Sequence, residues 1–560
     1  MARIYELKIT NFRGIKSFSN KLNKDFVCLL GRGDSGKTTI LDAISYILSP
    51  SWNLSFFDSD FYRGNTASPI VMEATLLDVP KKFINEEKFG LYIRGLDANG
   101  QIHDELQQDH SKVLTMRLEV NKNLEPQWHV VNNRQEPIRI SGQDRARLNV
   151  FMVSDYIDRH FSWSKGSPLS SILKETQPTS DDNSEVIIDA IREAKEKIDQ
   201  DSFECFKEVT ERIKKSSLNL GVDLSKVKTT VDFRDVSIKD GRVCLHDEDV
   251  PLRLKGKGSK RLISMAIQSV LVQCGGIILI DEIEQGLEPD RVKHLVRSLK
   301  KDNAGQIFLT THSSDVITEL EADDLVIVNN NQGEVTISTP DQKFQNIIRA
   351  CPEAGYAKKV IVCEGKTEIG ICRALDAYRK NKNMECMSAK ACVYTCGSGH
   401  SFSERAIKLK ELGLTTCVFC DSNDDGSLKP TKDNLRTAGI KIFDCDNNCS
   451  IEQQIFKDLP WDGVKKLLDY VVENKNISAE QLKASIKSKY GNGFPDDFKN
   501  ADTPQIRDAM GKASLTKDKE WFKRIDHGEF LGEIILSYFA ELDNRKLKTQ
   551  LENLLGWIDE

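Results

Sequence analysis

Long apolar runs are missing from this 560-residue sequence. The longest, such as GGIILI at 275–280, fall far short of the ~20 residues a helix needs to cross a bilayer. Nothing at the start resembles an export signal either. MARIYELKITNFRG alternates apolar and polar residues and reads as a strand. The two absences lead to the expectation of a cytoplasmic protein with no membrane partner. There is no low-complexity tract, and 39% hydrophobic with 29% charged residues is ordinary globular composition. Positive charge has no surplus: 79 Lys and Arg face 85 Asp and Glu, for a net charge of −6. That argues against binding nucleic acid with the whole surface and leaves room for a local basic groove. LKGKGSKR (254–261) and KASLTKDKEWFKR (512–524) are candidates, although a solvated face is the simpler reading of either run. Cysteine is not scarce, at 14, but it is scattered and often sits in strand-like runs, as at Cys28, Cys363 and Cys417. Reduced, buried thiols are expected. Cys417 and Cys420 form a CxxC and Cys392 and Cys396 a CxxxC, but strand residues three apart point to opposite faces, which argues against zinc or redox chemistry. The length suggests about three or four folding units.

DFVCLLGRGDSGKTTILDAISYIL (25–48) carries the strongest signal: an apolar strand, Gly31-x-x-x-x-Gly36-Lys37-Thr38, and an amphipathic helix. Such a loop curls backbone N–H groups round phosphates, and the helix N-terminus faces the same anion. Gly31, Gly33, Asp34, Ser35, Gly36, Lys37, Thr38 and Thr39 are therefore expected to bind ATP, with Lys37 on the β/γ-phosphates and the Thr38 hydroxyl on Mg²⁺. GGIILIDEIEQGLEP (275–289) adds a buried strand ending in Asp281, which would serve Mg²⁺, and Glu282, which would polarise the attacking water. GQIFLTTHSSDVI (305–317) ends a further strand at His312, placed to sense the γ-phosphate. Before these strands, Gly256, Gly258 and Ser259 open a helix and form a second anion-binding loop.

This order resembles the ABC-type ATPase heads of the RecF/SMC class, as does the opening LKITNFRGIKSF. In that class the Gly/Ser loop contacts ATP held by a partner subunit, so the resemblance implies a dimer. Two features depart from it. Gly33 stands where relatives usually carry Asn, and no Gln after the first helix clearly plays the magnesium-contacting role. Asp58 or Asp60 in FFDSDFY is the candidate substitute, with a solvated loop as the alternative. Residues 68–150 hold alternating β segments, expected as an antiparallel layer beside the nucleotide sheet. The period then changes: Ile187, Ile191, Ala194 and Ile198, then Phe206, Val209 and Ile213, mark amphipathic helices. This insert is too short for an SMC arm and reads as a dimerisation element or a simple helical cap. The expected division is an ATPase N-terminal part at 1–155, the insert at 156–225, an ATPase C-terminal part at 226–345, and a second domain at 358–560 after a polar connector.

In that second domain strand and helix alternate again. KKVIVCEGKTEIGICRALDAY ends its strand at Glu364-Gly365, with Glu368 following; a Gly-rich turn bears Gly397 and Gly399; TTCVFCDSNDDG ends at Asp421; IKIFDCDNNCSIEQQIF leads to Glu452. A repeating βα pattern implies a parallel sheet whose ligands gather at the strands' carboxyl ends. Glu364-Gly365 and Asp421-x-Asn423-x-x-Gly426 resemble the marks of a Toprim domain. The fold class expected is thus α/β: an ABC-type P-loop ATPase head with a helical insert, then a Toprim-type parallel α/β domain with C-terminal helices. That arrangement resembles the OLD family of ATPase–nucleases, which includes the nuclease subunit of the Gabija phage-defence system and retron-linked effectors.

The resemblance implies an ATP-controlled, divalent-metal-dependent DNA endonuclease, a homodimer or larger, working in antiviral defence with a partner protein or an RNA or DNA element. Its metal ligands would be Glu364, Glu368, Asp421, Asn423, Asp424 and Glu452, holding Mg²⁺, Mn²⁺ or Ca²⁺, and of Lys519 and Lys523 the active-site lysine would be Lys523, anchored by Trp521 and Phe522. Asn423 stands where a carboxylate is expected. Asp424 takes over its role, one amide ligand is tolerated, or the residue is an Asp→Asn change that silences cutting. The competing readings are a non-cutting ATPase clamp or sensor with Toprim as a platform, and a topoisomerase or primase. A topoisomerase needs a nucleophilic tyrosine, and nothing marks Tyr470 or Tyr490 as one.

Overall fold

The computed structural model describes residues 2–80, 83, 88–153, 158–161, 167–169, 171–172, 193, 211, 245–247, 249–273, 276–301, 305–397, 401–422, 428, 430–446, 448–475, 477–517 and 519–560. The chain divides into two units at Ser338/Thr339, with two short stretches, Leu30–Arg32 and Leu320–Ile327, grouped with the second.

The first unit opens with a hairpin of β1 (Arg3–Phe12) and β2 (Ile15–Lys21), followed by β3 (Phe26–Leu30), every residue of which is buried, and α1 (Lys37–Leu48). Next come β4 (Ile70–Leu77), β5 (Arg94–Leu96), β6 (Ile102–His103), β7 (Ser111–Val120), β8 (Pro126–Val131), β9 (Ile138–Arg139) and β10 (Val150–Val153). After the expected helical insert, nearly all of which lies outside the described residues, β11 (His246–Asp247) pairs with β12 (Val250–Pro251). The unit continues with α2 (Lys257–Gln273), β13 (Ile277–Ile280), α3 (Pro289–Lys301), β14 (Gln306–Thr310), α4 (Ser314–Glu319), β15 (Leu325–Asn331) and β16 (Glu334–Ser338).

Fourteen of these strands share one sheet, in the order β10-β13-β14-β3-β15-β16-β2-β1-β4-β7-β5-β6, with β8 and β9 branching from β7. β10, β13, β14 and β3 run parallel, and the last three are buried along their whole length, which fits their largely apolar sequences. From β2 to β6 neighbouring strands are antiparallel. The antiparallel segments expected to lie beside the nucleotide sheet are therefore its continuation. The Gln306 side chain helps tie the two regions together: Oε1 accepts from Ile4 N at 2.7 Å, and Nε2 donates to Leu22 O at 2.8 Å and Lys24 O at 2.9 Å.

The second unit starts within what reads in sequence as a polar connector. α5 (Gln345–Ala350) lies there, and Ile347, Cys351 and Ala354 join an apolar cluster with residues of a parallel sheet. That sheet is built from β17 (Lys359–Cys363), β18 (Cys392–Cys396), β19 (Thr415–Cys420) and β20 (Lys441–Asp444), in the order β18-β17-β19-β20. α6 (Lys366–Asn381) follows β17, α7 (Phe402–Glu411) follows β18, α8 (Lys432–Thr437) follows β19 and α9 (Ile451–Asp458) follows β20. α10 (Trp461–Asn474), α11 (Ala479–Tyr490), α12 (Pro504–Ser514), α13 (Ile525–Ser537) and α14 (Lys546–Asp559) complete it. Alternation sorts each strand's side chains: Ile361, Cys363, Cys417 and Phe419 pack with the C-terminal helices, while Val360, Val362, Val418 and Cys420 pack on the other face. Cys417 and Cys420 thus lie on opposite faces, and burial pushes both thiols well above their ordinary value. No helix of the described residues is long and apolar enough to cross a membrane.

Candidate functional sites

The strand order explains the first site. β14 lies between β3 and β13, and its register sets Thr310 beside Leu29 and Leu309 beside Ile280. The P-loop, Thr310 and Asp281 therefore gather at the carboxyl ends of these three parallel strands. Gly31 and Gly36 have φ of 149° and 100°, backbone that disfavours a Cβ and brings amides round an anion. Thr38 Oγ1 donates to Asp281 Oδ1 at 3.2 Å, so the two groups expected to share a magnesium ion are in contact. Lys37 is buried, and that burial lowers its pKa, offset in part by Asp281 and Glu282. The Ser35 hydroxyl is buried with no hydrogen-bond partner among the described residues, a group that a bound phosphate oxygen would satisfy. Oxygen donors beside an anion cradle suit Mg²⁺ and ATP.

Several residues with a place in this site carried no sequence signal of their own. Thr310 Oγ1 donates to Asp281 Oδ1 at 2.7 Å and accepts from Glu282 N at 2.8 Å. Glu284 accepts from Thr311 Oγ1 at 2.7 Å and from His312 N at 2.5 Å, which fixes the strand end carrying the exposed His312. Arg261 on α2 is buried and reaches the Asp281–Gln285 turn. Gly258 packs against that turn as well, since a Cβ there would lie 2.4 Å from Gly286 O. Asp58 is exposed, whereas Asp60 is engaged structurally, accepting from Arg13 Nε at 2.9 Å and from Phe57 N at 3.0 Å. Arg13 in turn reaches Tyr46 Oη at 3.1 Å and Asp42.

The second site lies at the carboxyl ends of β17, β19 and β20. Glu364 Oε2 accepts from Asp421 N at 3.0 Å, so these two strand-end carboxylates are neighbours. Asp421 Oδ1 accepts from Ile451 N at the start of α9 at 2.6 Å. Glu368 Oε2 accepts from Gly365 N at 2.9 Å, and Glu452 Oε1 accepts from Thr367 Oγ1 at 3.2 Å. Glu368, Asp421 and Glu452 are 3%, 8% and 1% exposed, an unusual density of buried acid. Burial first, then Glu452 and Glu364, raise the Glu368 pKa to about 7. Burial, then Glu368, Glu452 and Glu364, hold that of Asp421 well above the usual range.

Of the two candidate lysines, Lys523 is brought to this cluster, with Nζ 3.9 Å from Glu452 Oε1. Burial opposes its charge, but Glu452, Asp421, Glu368 and Glu364 outweigh it and raise its pKa. Helix packing without side chains puts it there. A Cβ on Gly528 would lie 2.4 Å from Thr367 O, and one on Gly370 2.3 Å from Ile525 O, so α6 and α13 approach at backbone distance. Phe522 O accepts from Thr367 Oγ1 at 3.0 Å, which fixes the residue before Lys523. Tyr470 Oη is hydrogen-bonded to His527 Nδ1 at 2.8 Å and its ring stacks on Phe530.

Four acids beside one lysine supply oxygen donors, which are what Mg²⁺ or Mn²⁺ takes. The buried Glu452 Oε2 has no hydrogen-bond partner among the described residues. Yet no group of three or more His, Cys, Asp or Glu among the described residues is arranged to hold a metal ion. The other three carboxylates are turned onto backbone amides instead. Asn423 and Asp424 lie outside the described residues.

Comparison with curated proteins finds no match. Among solved structures, the chain is similar to the Smc head domain with an extended coiled coil from Pyrococcus furiosus, at 15% identity and TM-score 0.37, covering 62% of this chain and 98% of that one. The SMC head domain from Thermotoga maritima is 16% identical with TM-score 0.29, covering 60% and 99%. The ATP complex of the recombination mediator protein RecF is 13% identical with TM-score 0.33, covering 60% and 99%. In sequence, residues 26–318 match the family described as "AAA domain, putative AbiEii toxin, Type IV TA system". That span includes the P-loop, the Gly/Ser loop, Asp281-Glu282 and His312, and the chain belongs to this family of ATPase-type AAA-domain proteins.

Proposed function

We propose that the protein is an ATP-hydrolysing, divalent-metal-dependent DNA endonuclease of the OLD type, a homo-oligomer acting in antiviral defence. The observation that carries the nuclease half is the gathering of Glu364, Glu368, Asp421, Glu452 and Lys523, spread over 160 residues of chain, at one end of the second sheet. At the first site Lys37 and the P-loop amides bind the phosphates, Thr38 and Asp281 hold Mg²⁺, and Glu282 orients the water and accepts its proton. At the second, Glu364, Glu368, Asp421 and Glu452 hold the divalent ions, which when bound supply charge stabilisation for phosphodiester cleavage. Lys523 contributes a fixed cation to the scissile phosphate. Glu364, Glu368 and Asp421 each keep a second oxygen beside the one that accepts from an amide, but no group of three among the described residues is arranged to hold an ion, so loading requires side chains to reorient. That requirement favours the non-cutting clamp as the second reading.

Supercoiled plasmid incubated with Mg²⁺ or Mn²⁺ while ATP is titrated separates the two. Nicked or linear product, lost in EDTA, is expected. DNA left intact in both metals at every ATP concentration overturns the nuclease and leaves the clamp. On the same protein, Lys37→Ala should weaken binding of a fluorescent ATP analogue by about 10- to 100-fold, the effect of removing a charged hydrogen bond to phosphate. Unchanged affinity would remove Lys37 from the nucleotide site.

A further inference from the structure

We infer that Arg261 is a positioning residue for ATP hydrolysis. It holds the Glu282 backbone in place from the helix that follows the Gly/Ser loop, so that the loop and the hydrolytic carboxylate move as one block. The inference rests on the ATPase reading above and adds a residue that neither the motif pattern nor the family match assigns.

Glu282 sits at φ 47°, left-handed backbone that a residue with a Cβ adopts only when its surroundings enforce it. Two sets of contacts enforce it here. From β14, Thr310 Oγ1 takes Glu282 N at 2.8 Å and Thr310 O takes Ile283 N at 3.1 Å. From α2, the Arg261 guanidinium donates to Glu282 O at 2.8 Å, to Asp281 O, and to Gln285 Oε1 at 2.6 Å. The planar fork of arginine spans three acceptors in one turn, and a lysine ammonium cannot match that geometry. Arg261 is 4% exposed, so this is a built contact and not a surface side chain at rest. These three contacts are to two backbone carbonyls and a side-chain amide oxygen of the turn.

The same helix start is tied to the turn a second time. Gly258, three residues before Arg261, lies so close to Gly286 O that a Cβ would fall at 2.4 Å, and Gly286 itself has φ 73°. Gly258 and Ser259 lie in the first turn of α2, so that turn is packed directly on the Asp281–Gly286 turn.

The test is steady-state ATP hydrolysis by the full chain, with Arg261→Ala, Arg261→Lys, Glu282→Gln and the Arg261→Ala/Glu282→Gln pair. Arg261→Ala should lower kcat about 10- to 100-fold, with KM and ATP-analogue affinity within about twofold, because the P-loop is untouched. Arg261→Lys should recover only part of the loss. The double variant should be no slower than Glu282→Gln alone, since a residue acting through Glu282 has nothing left to position. Wild-type kcat in Arg261→Ala, or a further loss in the double variant, overturns the inference. Should Arg261→Ala fail to fold, Arg261→Lys carries the test, and wild-type kcat there overturns it equally. Absence of hydrolysis in the wild-type chain, by contrast, strikes the ATPase reading itself.

Discussion

Glu364→Ala should lower metal-dependent plasmid cleavage by on the order of 100-fold or more, about 2.7 kcal/mol of transition-state stabilisation, while ATP turnover stays within about twofold. The reason is where Glu364 stands. It follows the last residue of β17, and β17 lies between β18 and β19, so its backbone is held on both sides. Glu364 N donates to Phe419 O at 3.1 Å, while Oε2 takes Asp421 N at 3.0 Å. Its carboxylate thus fixes the next strand's acid as well as adding its own charge. Alanine removes both roles, and glutamine separates them. A glutamine amide oxygen could still accept from Asp421 N, so Glu364→Gln keeps the geometry and loses the charge. Initial nicking rates for the two variants, with melting temperature as a folding control, decide the matter. Full activity in Glu364→Gln would show that Glu364 is only a strut.

The strand-end carboxylates of both sites were legible in the sequence because each follows a short apolar strand. A strand that must be buried on both faces ends where polar groups can again meet water or ligand, and in a parallel sheet those ends converge. Glu364, Asp421 and Asp281 are found by that logic alone. Arg261, Thr310 and Thr367 are not. Each acts on a backbone carbonyl, an amide or a carboxylate supplied by a distant segment, and their own neighbours in sequence give no hint of that partner. The helix in the connector before β17 is hidden for a related reason: Ile347, Cys351 and Ala354 are spaced among polar residues and show their role only against the face of the sheet that buries them. The continuity of the sheet was hidden because strand alternation reveals which face is buried and not which strand lies next door. The one helix–helix contact that sets Lys523 was marked in advance only by Gly370, Gly528 and Gly532, three glycines inside helices, where the residue is otherwise costly.

Glu368→Gln should stabilise the metal-free protein at pH 8 and leave its stability unchanged near pH 4. The buried Glu368 carboxyl has its pKa raised from 4.5 to about 7, first by burial and then by Glu452 and Glu364. At pH 4 it is protonated in the folded chain and largely so in the unfolded one, and glutamine is close to neutral in effect. As pH rises past 4.5 the unfolded chain releases its proton first, so folding loses free energy. The loss continues until the folded carboxyl ionises near 7 and then levels off. The rise from 4.5 to about 7 corresponds to on the order of 3 kcal/mol at pH 8. Asp421 is raised for the same reasons, so the proton belongs to the cluster and glutamine at position 368 relieves a shared strain. The substituted side chain can still accept from Gly365 N, as Glu368 Oε2 does at 2.9 Å, so the cap of α6 survives. Chemical denaturation in EDTA at the two pH values measures the difference directly. Equal effects at pH 4 and pH 8, or destabilisation at pH 8, would mean that the acids are not in electrostatic conflict. Mn²⁺ added at pH 8 should then stabilise the wild-type chain more than the variant, because a bound cation removes the same repulsion that the substitution removes.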